Sequence, residues 1–313
     1  MKQKSPPPLK TQYRVENWRD YNRALVSRGS ITLWVDDEVL KGWRARGGKG
    51  RRYSDMAIRA ALCLRSVFGL ALRQTQGFLE SLKSMMGLTI LVPHYSTFSR
   101  RAEGLEMPDP VRQINAPVIL AIDATGLKVF GEGEWHMRQH RKGKRRVWRK
   151  LHLAVDTQTG EVLAHELTDG NAHDGPHLPG LLDQIKAELG AVSADKAYDS
   201  FECHKAIIAR MARPVIPPRK GAAIRPPKHL KDPPKTRGQA VRRICEIGRK
   251  AWKVEAGYHR RSLSETAMYR YKTIIAEKLK SRKMITQKTE AAIGILCLNT
   301  FTGLGMPVSK KIK

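Results

Sequence analysis

Three acidic residues in this chain lie where elements of secondary structure are predicted to begin or end. Asp123 follows the apolar run "APVILAI", Asp195 follows "LGAVSA", and Glu265 lies within the stretch "YHRRSLSETAMYRYK". Hard divalent cations such as Mg²⁺ bind carboxylate oxygens and retain waters or substrate phosphates. Two such ions about 4 Å apart activate an attacking oxygen and stabilise the leaving oxygen of a phosphodiester. Three carboxylates that met in the fold could therefore support phosphoryl transfer.

Each of these acidic residues also has an ordinary structural interpretation. An Asp at the end of a strand is commonly a turn residue or an ion-pair partner. The letters "SLSE" form a capping box, in which Ser262 is the N-cap and Glu265 reaches back to it. If one helix runs through the whole stretch instead, Tyr258, Arg261, Glu265 and Lys272 share one face within about 60°. The spacing alone leaves both interpretations open.

The chain carries a large excess of positive charge. Its 313 residues include 58 Lys and Arg against 29 Asp and Glu, which gives a formal net charge of +29. Such a charge predicts attraction to a polyanion, and nucleic acid is the first candidate. The longest apolar stretches are too short to span a bilayer, and the basic, Pro-rich start has no signal-like apolar segment. Four scattered cysteines without a C-x-x-C pair suit a reducing compartment, so we expect a cytoplasmic, nucleoid-associated protein without membrane contact.

Three short helices are predicted between residues 51 and 106, behind an irregular basic segment over 1–50. The first has Ser54 as its N-cap, the second is "LRQTQGFLESLKSMMG" ended by Gly87, and the third is "YSTFSRRA" behind Pro93. A short, polar and basic third helix resembles a helix-turn-helix module, and the alternative is an ordinary helical subdomain. The side chains predicted to face DNA are Tyr95, Ser96, Thr97, Ser99 and Arg100.

A mixed α/β domain is predicted over residues 111–305. The pattern gives three meandering antiparallel strands, then a helix, a strand, a helix and a last brief strand. Residues 213–250 hold seven of the 17 prolines and predict a basic insertion without long helices. The helix candidate with Glu265 and a final apolar helix follow, and 306–313 is expected to be a basic tail.

The residues around Glu265 carry a resemblance to a known family. Tyr258, Arg261, Glu265 and Lys272 occupy the pattern Y-x2-R-x3-E-x6-K. This pattern resembles the signature of bacterial insertion-sequence transposases of the DDE class, in particular the group named after insertion sequence five. The segment "AIDATGLKVFG" resembles the strand of the family's first Asp, and "SADKAYD" resembles its second motif, D-x-[GA]-[YF]. Lys196 stands where Gly is commoner, at a place that the motif leaves open.

The resemblance implies an RNase H-like catalytic core in which Asp123, Asp195 and Glu265 hold two Mg²⁺ ions, with Mn²⁺ able to substitute. It implies a transposase that binds the terminal inverted repeats of a mobile element, cleaves the DNA and joins the 3′-OH end to target DNA. The implied partners are double-stranded DNA and a second copy of the chain, in a homodimer or a larger assembly. Two alternatives remain: an RNase H-like nuclease that never joins strands, and a repressor whose carboxylates are structural.

A basic tract precedes the second predicted strand. The letters "RQHRKGKRRVWRK" at 138–150 hold eight Lys and Arg and no acidic residue, and are predicted to contact DNA phosphates. The alternative is a solvated hairpin loop. The full set of candidate phosphate contacts is Arg145, Arg146, Arg149, Lys150, Tyr258, Arg261 and Lys272.

Two histidines have a spacing that is compatible with zinc binding. His173 and His177 are four residues apart, which on a helix would place them on one face. No third ligand stands out, and Pro176 lies where such a helix would begin. We therefore predict structural or solvent-facing histidines here.

Overall fold

Six of the described strands form one mixed sheet at the centre of the protein. A computed structural model describes residues 13–45, 52–108, 117–129, 147–225 and 233–312. The strands are β1 Tyr13–Val15, β2 Val118–Val129, β3 Trp148–Asp156, β4 Val162–Asp169, β5 Leu189–Ala194, β6 Arg213–Val215, β7 Lys278–Leu279 and β8 Ser309–Lys311. The helices are α1 Trp18–Ser27, α2 Asp37–Lys41, α3 Asp55–Val67, α4 Leu72–Met85, α5 Tyr95–Arg101, α6 Leu178–Asp183, α7 Phe201–Ala209, α8 Thr236–Ile247, α9 Arg249–Glu255, α10 Ser262–Arg270 and α11 Met284–Leu304.

The sheet has the strand order β4-β3-β2-β5-β6, and β7 pairs with β2 outside this path. Strands β2, β3 and β4 are mutually antiparallel, as the sequence predicts. Strands β5, β6 and β7 continue the sheet in parallel pairings. The described core is therefore a mixed α/β layer in which β2 is hydrogen-bonded to three other strands.

The two faces of β2 are covered by different helices because successive side chains of a strand point to opposite faces. Val118, Leu120 and Ile122 pack in one hydrophobic cluster with residues of α6 and α7. Leu127 packs in another cluster with residues of α10 and α11. Asp123 has the same parity as Leu127, so its side chain lies on the face that α10 covers.

Helix α11 lies between the sheet and the N-terminal helices. Ile295 and Leu298 pack against residues of β3 and β4, whereas Ile293, Cys297 and Phe301 pack against residues of α3 and α4. A helix with core contacts on opposite sides is apolar all round, which explains the composition of this segment. In the described ranges no helix, α11 included, has the length and apolar character needed to cross a membrane.

The three helices predicted before residue 106 are present as α3, α4 and α5. Ser54 caps α3, because its Oγ accepts a hydrogen bond from the Ala57 N–H at 3.1 Å. Gly87 follows the end of α4 with a positive φ of 62°, a conformation that favours glycine. Arg101 of α5 pairs with Asp55 of α3, which ties the third helix to the first.

The prediction that residues 1–50 are irregular is wrong for 13–45. This range contains β1, α1, a 3₁₀ turn over Ile31–Leu33 and α2. Trp34 and Trp43 are buried in the same cluster as the N-terminal helices, and burial of their large side chains stabilises the segment. The predicted basic tail is also ordered in part, because β8 pairs with β1 in an antiparallel ribbon.

The predicted insertion over 213–250 contains more structure than a loop. Arg213–Val215 forms β6, as the sequence predicts, but α8 and α9 fill much of the second half. The prolines lie before Lys235, so the residues after it are able to form helices. Residues 226–232 lie outside the described residues. In contrast, the helix predicted before β5 is short, and consists of a 3₁₀ turn over Gly175–His177 followed by α6.

The histidines of this region have structural partners or are exposed. His177 Nδ1 lies 2.9 Å from Glu166 Oε2, and His152 Nε2 lies 3.0 Å from Thr168 Oγ1. His173 is exposed. Within the described stretches there is no group of three or more His, Cys, Asp or Glu side chains arranged to hold a metal ion.

Two buried histidines predict how stability changes with pH. Burial lowers the pKa of His152 and of His204 to about 4, from an ordinary value of 6.5. The unfolded chain therefore binds protons below pH 6.5 that the folded chain does not, and stability is lost as the pH falls. For each histidine, we expect the free energy of unfolding to decline with a slope that increases below pH 6.5 and approaches about 1.4 kcal/mol per pH unit near pH 5. Denaturant titrations over that range measure this slope.

The matched variants are His152→Gln, His204→Gln and, as control, His173→Gln at an exposed position. Each of the two buried-site variants should remove one histidine's contribution to the pH dependence of the unfolding free energy. The control should leave this pH dependence unchanged. An unaltered slope in both buried-site variants would contradict the prediction.

Candidate active site

Asp123 and Asp195 lie side by side at the junction of two neighbouring parallel strands. The pairing of β2 with β5 ends with Ile122 opposite Ala194. Asp123 is the next residue of β2, and Asp195 is the first residue after β5. Neighbouring strands are about 4.8 Å apart, so this register brings the two carboxylates close together. The prediction that each aspartate lies at the end of a strand is correct for Asp195, which directly follows β5, but wrong for Asp123, because β2 continues to Val129. The predicted Gly-containing turn after Asp123 is part of this strand, where residues up to Lys128 pair with β3.

The edge of β2 beyond this point is open to other elements. β5 pairs with β2 as far as Ile122, and β7 pairs with it from Lys128 onward. Among the described strands, none pairs with this edge over 123–127. Helix α10 and the 3₁₀ turn Tyr258–Arg261 pack against β2 instead. This interruption of the sheet gives the side chains of that turn access to Asp123.

Arg261 joins Asp123 to Glu265. Its Nη1 donates to Asp123 Oδ2 at 2.5 Å, and its Nη2 donates to Glu265 Oε1. The Asp123 and Arg261 side chains are 20% and 17% exposed, whereas that of Glu265 is 56% exposed. Glu265 therefore lies on the solvent-facing side of the site and is connected to Asp123 through the Arg261 guanidinium.

Neither local interpretation of the Glu265 segment is fully correct. Helix α10 begins at Ser262, but Ser262 Oγ donates to the His259 carbonyl at 2.9 Å and does not cap the helix. The capping-box interpretation is therefore wrong. A single helix face through Tyr258 and Lys272 is also wrong, because Tyr258 lies in the 3₁₀ turn and Lys272 in a one-turn π-helix over Tyr271–Ile275.

The electrostatics of Asp123 reflect a crowded acidic site. Burial raises the pKa of the Asp123 carboxyl above its ordinary value, and the negative charge of Asp195 raises it further. The hydrogen bond from the Ala124 N–H and the charge of Arg261 act in the opposite direction. Burial also raises the pKa of the Tyr258 hydroxyl, with contributions from both aspartates, so this phenol belongs to the same cluster.

The donor set fits a hard divalent cation in part. One carboxylate on β2, one directly after β5 and a third on α10 are the kind of oxygen ligand that Mg²⁺ takes. The Arg261 guanidinium lies between Asp123 and Glu265 and compensates the charges of these two carboxylates. Among the described residues, the three acidic side chains are not arranged as a closed metal site.

Two of the residues predicted to contact DNA phosphates already bind groups within the protein. Arg149 is bound within the protein, since its Nε donates to Gln287 Oε1 at 2.8 Å and its Nη1 to Asp169 Oδ1 at 2.6 Å. Lys150 Nζ donates to the Ala172 carbonyl at 2.7 Å. The predicted positions Arg145 and Arg146 lie outside the described residues.

The candidate DNA-facing helix α5 presents its polar residues unevenly. Ser99 and Arg100 are exposed, whereas Tyr95, Ser96 and Thr97 are half-buried. The Arg73 guanidinium of α4 lies 4.3 Å from the centre of the Tyr95 ring. The two residues at the end of the helix are therefore the more accessible members of the predicted set.

Sequence reasoning missed the residues that surround the turn after Asp195. Asp199 is buried, and Arg237 of α8 binds it through two hydrogen bonds. The second Asp of the letters "DKAYD" was the available signal, since a buried acidic residue requires a partner. Arg237 itself lies in a basic segment and carries no pattern that would distinguish it.

A comparison of two variants tests the charge balance of the site without divalent metal. Because the folded environment raises the pKa of Asp123, its ionisation reduces stability at neutral pH, so Asp123→Asn should be at least as stable as the wild type. Arg261→Met leaves neighbouring carboxylates without their cation and should lose about 1–3 kcal/mol. Thermal and denaturant unfolding at pH 7 in chelator measure both effects.

The control is Arg243→Met. Arg243 is also held by two carboxylates, of Glu246 and Glu255, but on the exposed surface, so its removal should change stability little. An Asp123→Asn variant that is destabilised as much as Arg261→Met would show that the charge balance differs from the one described.

Comparisons with known proteins identify the family of the chain. Two family models, each described as a transposase DDE domain, match residues 26–132 and 114–300. Among solved structures, the cryo-EM structure of the piggyBac transposase synaptic complex with hairpin DNA matches at 11% identity with a TM-score of 0.40, over 93% of this chain and 77% of that chain. The second family match alone covers more than half of the chain, and the protein therefore belongs to the transposase DDE domain family and is a DDE transposase.

Proposed function

We propose that this transposase binds the terminal inverted repeats of a mobile element, cuts the DNA at its ends and transfers the 3′-OH strand into target DNA. The observation that carries the proposal is the placement of Asp123 on β2 and of Asp195 directly after the neighbouring parallel strand β5, with Glu265 joined to Asp123 through Arg261. Chemistry on a phosphodiester needs such a cluster of oxygen ligands close to cations that bind phosphates.

The strand order supports an RNase H-like core. Three antiparallel strands are followed in the sheet by two that run parallel to the first, in the order β4-β3-β2-β5-β6. The spacing of Tyr258, Arg261, Glu265 and Lys272 further supports membership of the group named after insertion sequence five.

Asp123, Asp195 and Glu265 are proposed to hold divalent metal, two Mg²⁺ ions or Mn²⁺ in their place. Bound metal would supply the positive charge that activates the attacking oxygen and stabilises the leaving oxygen. The chain itself orients the carboxylates: the Ala124 N–H donates to Asp123 Oδ1 at 2.8 Å, and the Ala197 N–H donates to Asp195 Oδ1 at 2.7 Å. These backbone hydrogen bonds hold one oxygen of each carboxylate.

Arg261 is proposed to have a second partner in the complex with DNA. Its planar guanidinium suits two-pronged binding of a phosphate as well as of a carboxylate. Cations near the 3₁₀ turn, such as Lys253 above the Tyr258 ring at 5.0 Å, would add to the attraction of the scissile strand. Lys272, in the π-helical turn after α10, is proposed as a further phosphate contact.

The N-terminal helices are proposed to bind the element ends as double-stranded DNA. Ser99 and Arg100, both exposed on α5, are the best placed of the predicted contacts, and Tyr95, Ser96 and Thr97 complete the helix-turn-helix hypothesis. The net charge of +29 supports binding to DNA. Because two ends must be joined, we propose a homodimer or larger assembly as the working complex.

Three isosteric substitutions test the proposed triad. Asp123→Asn, Asp195→Asn and Glu265→Gln should each reduce Mg²⁺-dependent cleavage of element-end DNA by at least roughly 10³-fold, because residues that act as a unit fail together. Binding of the same DNA, measured by fluorescence anisotropy, should persist. The control Glu246→Gln alters an exposed carboxylate of α8 and should cleave like the wild type.

Full cleavage by any of the three triad variants would remove that residue from the site. If all three substitutions left cleavage intact, the observed cleavage would not come from the proposed site. If the wild type bound the DNA but never cut it under any divalent metal, the repressor alternative would be favoured.

A joining assay separates the transposase from a nuclease without strand transfer. A duplex that carries the element end, with a labelled strand ending in a 3′-OH, is incubated with the protein, Mg²⁺ and a plasmid. We expect the label to become covalently attached to the plasmid in a form that survives denaturation. Hydrolysis of the end without any joined product would instead support the nuclease.

The control substrate in this assay has the same sequence with a 3′-dideoxy end. It should bind equally but give no joined product, since it lacks the attacking hydroxyl. Label transfer from the dideoxy substrate would mean that the product does not arise from attack by the 3′-OH.

A further inference from the structure

The turn that carries Asp195 is held by a buried charge. Directly after β5 the chain forms a 3₁₀ turn over Lys196–Tyr198, and Asp199 ends it before α7 begins. The Asp199 carboxylate is fully buried, with a side-chain exposure of 0%. A buried carboxylate is retained only where a cation and hydrogen bonds compensate its lost hydration. The groups that bind Asp199 therefore show which parts of the chain hold this turn in place.

The partners of Asp199 come from the segment between Asp195 and Glu265. Arg237 of α8 donates from Nε to Asp199 Oδ1 at 2.7 Å and from Nη2 to Oδ2 at 3.1 Å. The backbone N–H of Arg219 donates to Asp199 Oδ2 at 2.8 Å. Such a two-pronged arginine contact fixes orientation as well as distance.

Arg237 supplies the positive charge that compensates the buried Asp199 carboxylate. His204 of α7 approaches Asp199 Oδ1 to 3.9 Å, but burial lowers the pKa of His204 to about 4, so the ring is neutral at pH 7. Its Nδ1 lies 2.9 Å from the hydroxyl of Thr236, the residue before Arg237. The Arg237 guanidinium also lies 5.0 Å from the centre of the Phe201 ring, so it is packed in place.

A second arginine binds the same turn from outside. The exposed side chain of Arg219 donates from Nε to the Lys196 carbonyl and from Nη2 to the Ala197 carbonyl, each at 3.3 Å. Ala197 in turn donates its N–H to Asp195 Oδ1. Arg219 thus contacts the peptide groups that orient the Asp195 carboxylate.

We propose that Asp199, Arg237 and Arg219 are positioning residues that set the orientation of the Asp195 carboxylate for divalent metal. The segment predicted as a basic insertion would then support the active site through α8 and Arg219, in addition to any contact with DNA. The inference rests on the proposed function, because it assigns metal binding to Asp195. Asp199 and Arg237 do not themselves touch the reacting atoms.

The location of the Asp199–Arg237 ion pair favours a role in positioning Asp195 over a role in general stability. The ion pair joins chain segments 38 residues apart and ends four residues from Asp195. Replacing a buried ion pair with apolar groups is often neutral or favourable for stability, so stability alone does not account for it. A fixed pair beside a ligand restricts the ligand's position, which matters for a metal that demands near-ideal octahedral geometry.

The test compares two exposed arginines that both bind backbone carbonyls. Arg219→Ala removes the contacts to the turn, while the control Arg213→Ala removes bonds of 3.3 and 3.4 Å to the Ala256 carbonyl. We expect the Mg²⁺ concentration for half-maximal cleavage to rise at least fivefold in Arg219→Ala and to stay unchanged in Arg213→Ala. Mn²⁺ binding to the protein–DNA complex, counted by electron paramagnetic resonance, should weaken by a similar factor.

Arg237→Lys and Asp199→Asn extend the test to the buried pair. Arg237→Lys keeps the charge but loses the two-pronged contact, so it should also require more Mg²⁺ while binding DNA like the wild type. Thermal melting in chelator identifies any variant that is not folded, and Arg219→Ala, at the surface, keeps the proposal testable if the buried variants fail to fold.

An unchanged Mg²⁺ requirement and Mn²⁺ affinity in Arg219→Ala and in a folded Arg237→Lys would overturn the positioning role. An equal loss in Arg219→Ala and Arg213→Ala would also overturn it, since the effect would then follow from general loosening. Failure of the proposed function is distinguishable, because in that case the wild type would show neither metal-dependent cleavage nor Mn²⁺ binding.

Discussion

The pairing of β2 with β5 is the interaction on which the candidate active site depends. It sets Ile122 opposite Ala194 and thereby places two carboxylates next to each other despite their mutual repulsion. A shift of this register by one residue would turn one aspartate to the opposite face of the sheet. The register is fixed because β2 buries alternate residues against different helices, so a slip would expose two hydrophobic clusters at once. The repulsion between the two carboxylates is offset by the hydrophobic packing that stabilises the core.

The positive charge of the chain is less available to DNA than its total suggests. Several arginines bind carbonyl groups within the fold, as Arg210 does with Ala187 and Arg249 with Pro218. Others neutralise carboxylates in the interior or at the site, as Arg237 and Arg261 do. A guanidinium suits these roles because it offers five donors in a planar fork. Composition therefore predicted a polyanion partner, but it could not identify which cations face it.

Local patterns predicted the parts of the fold that local physics controls. The apolar runs gave the strands and the antiparallel meander, and the Ser54 cap gave the start of α3. The segment before residue 45 was missed because its order comes from distant partners: Trp43 donates to the Leu91 carbonyl, and the Trp34 ring packs on Phe301. The capping box failed for a similar reason, since Glu265 is drawn to a guanidinium that is fixed in turn by Asp123. The partners of Asp199 lay 20 and 38 residues away and carried no readable spacing.

Helix α11 has a consequence for how the protein unfolds. One of its sides completes the core of the catalytic sheet and the other completes the core of the N-terminal helices. Neither core is closed without it, so the described regions share one cooperative unit and cannot be separated into fragments that each keep a full interior. A cut between the N-terminal helices and β2 would leave α11 with one apolar side exposed. The shared helix also links the position of the N-terminal helices to that of the sheet, because the two hydrophobic clusters cannot move apart without exposing one side of α11.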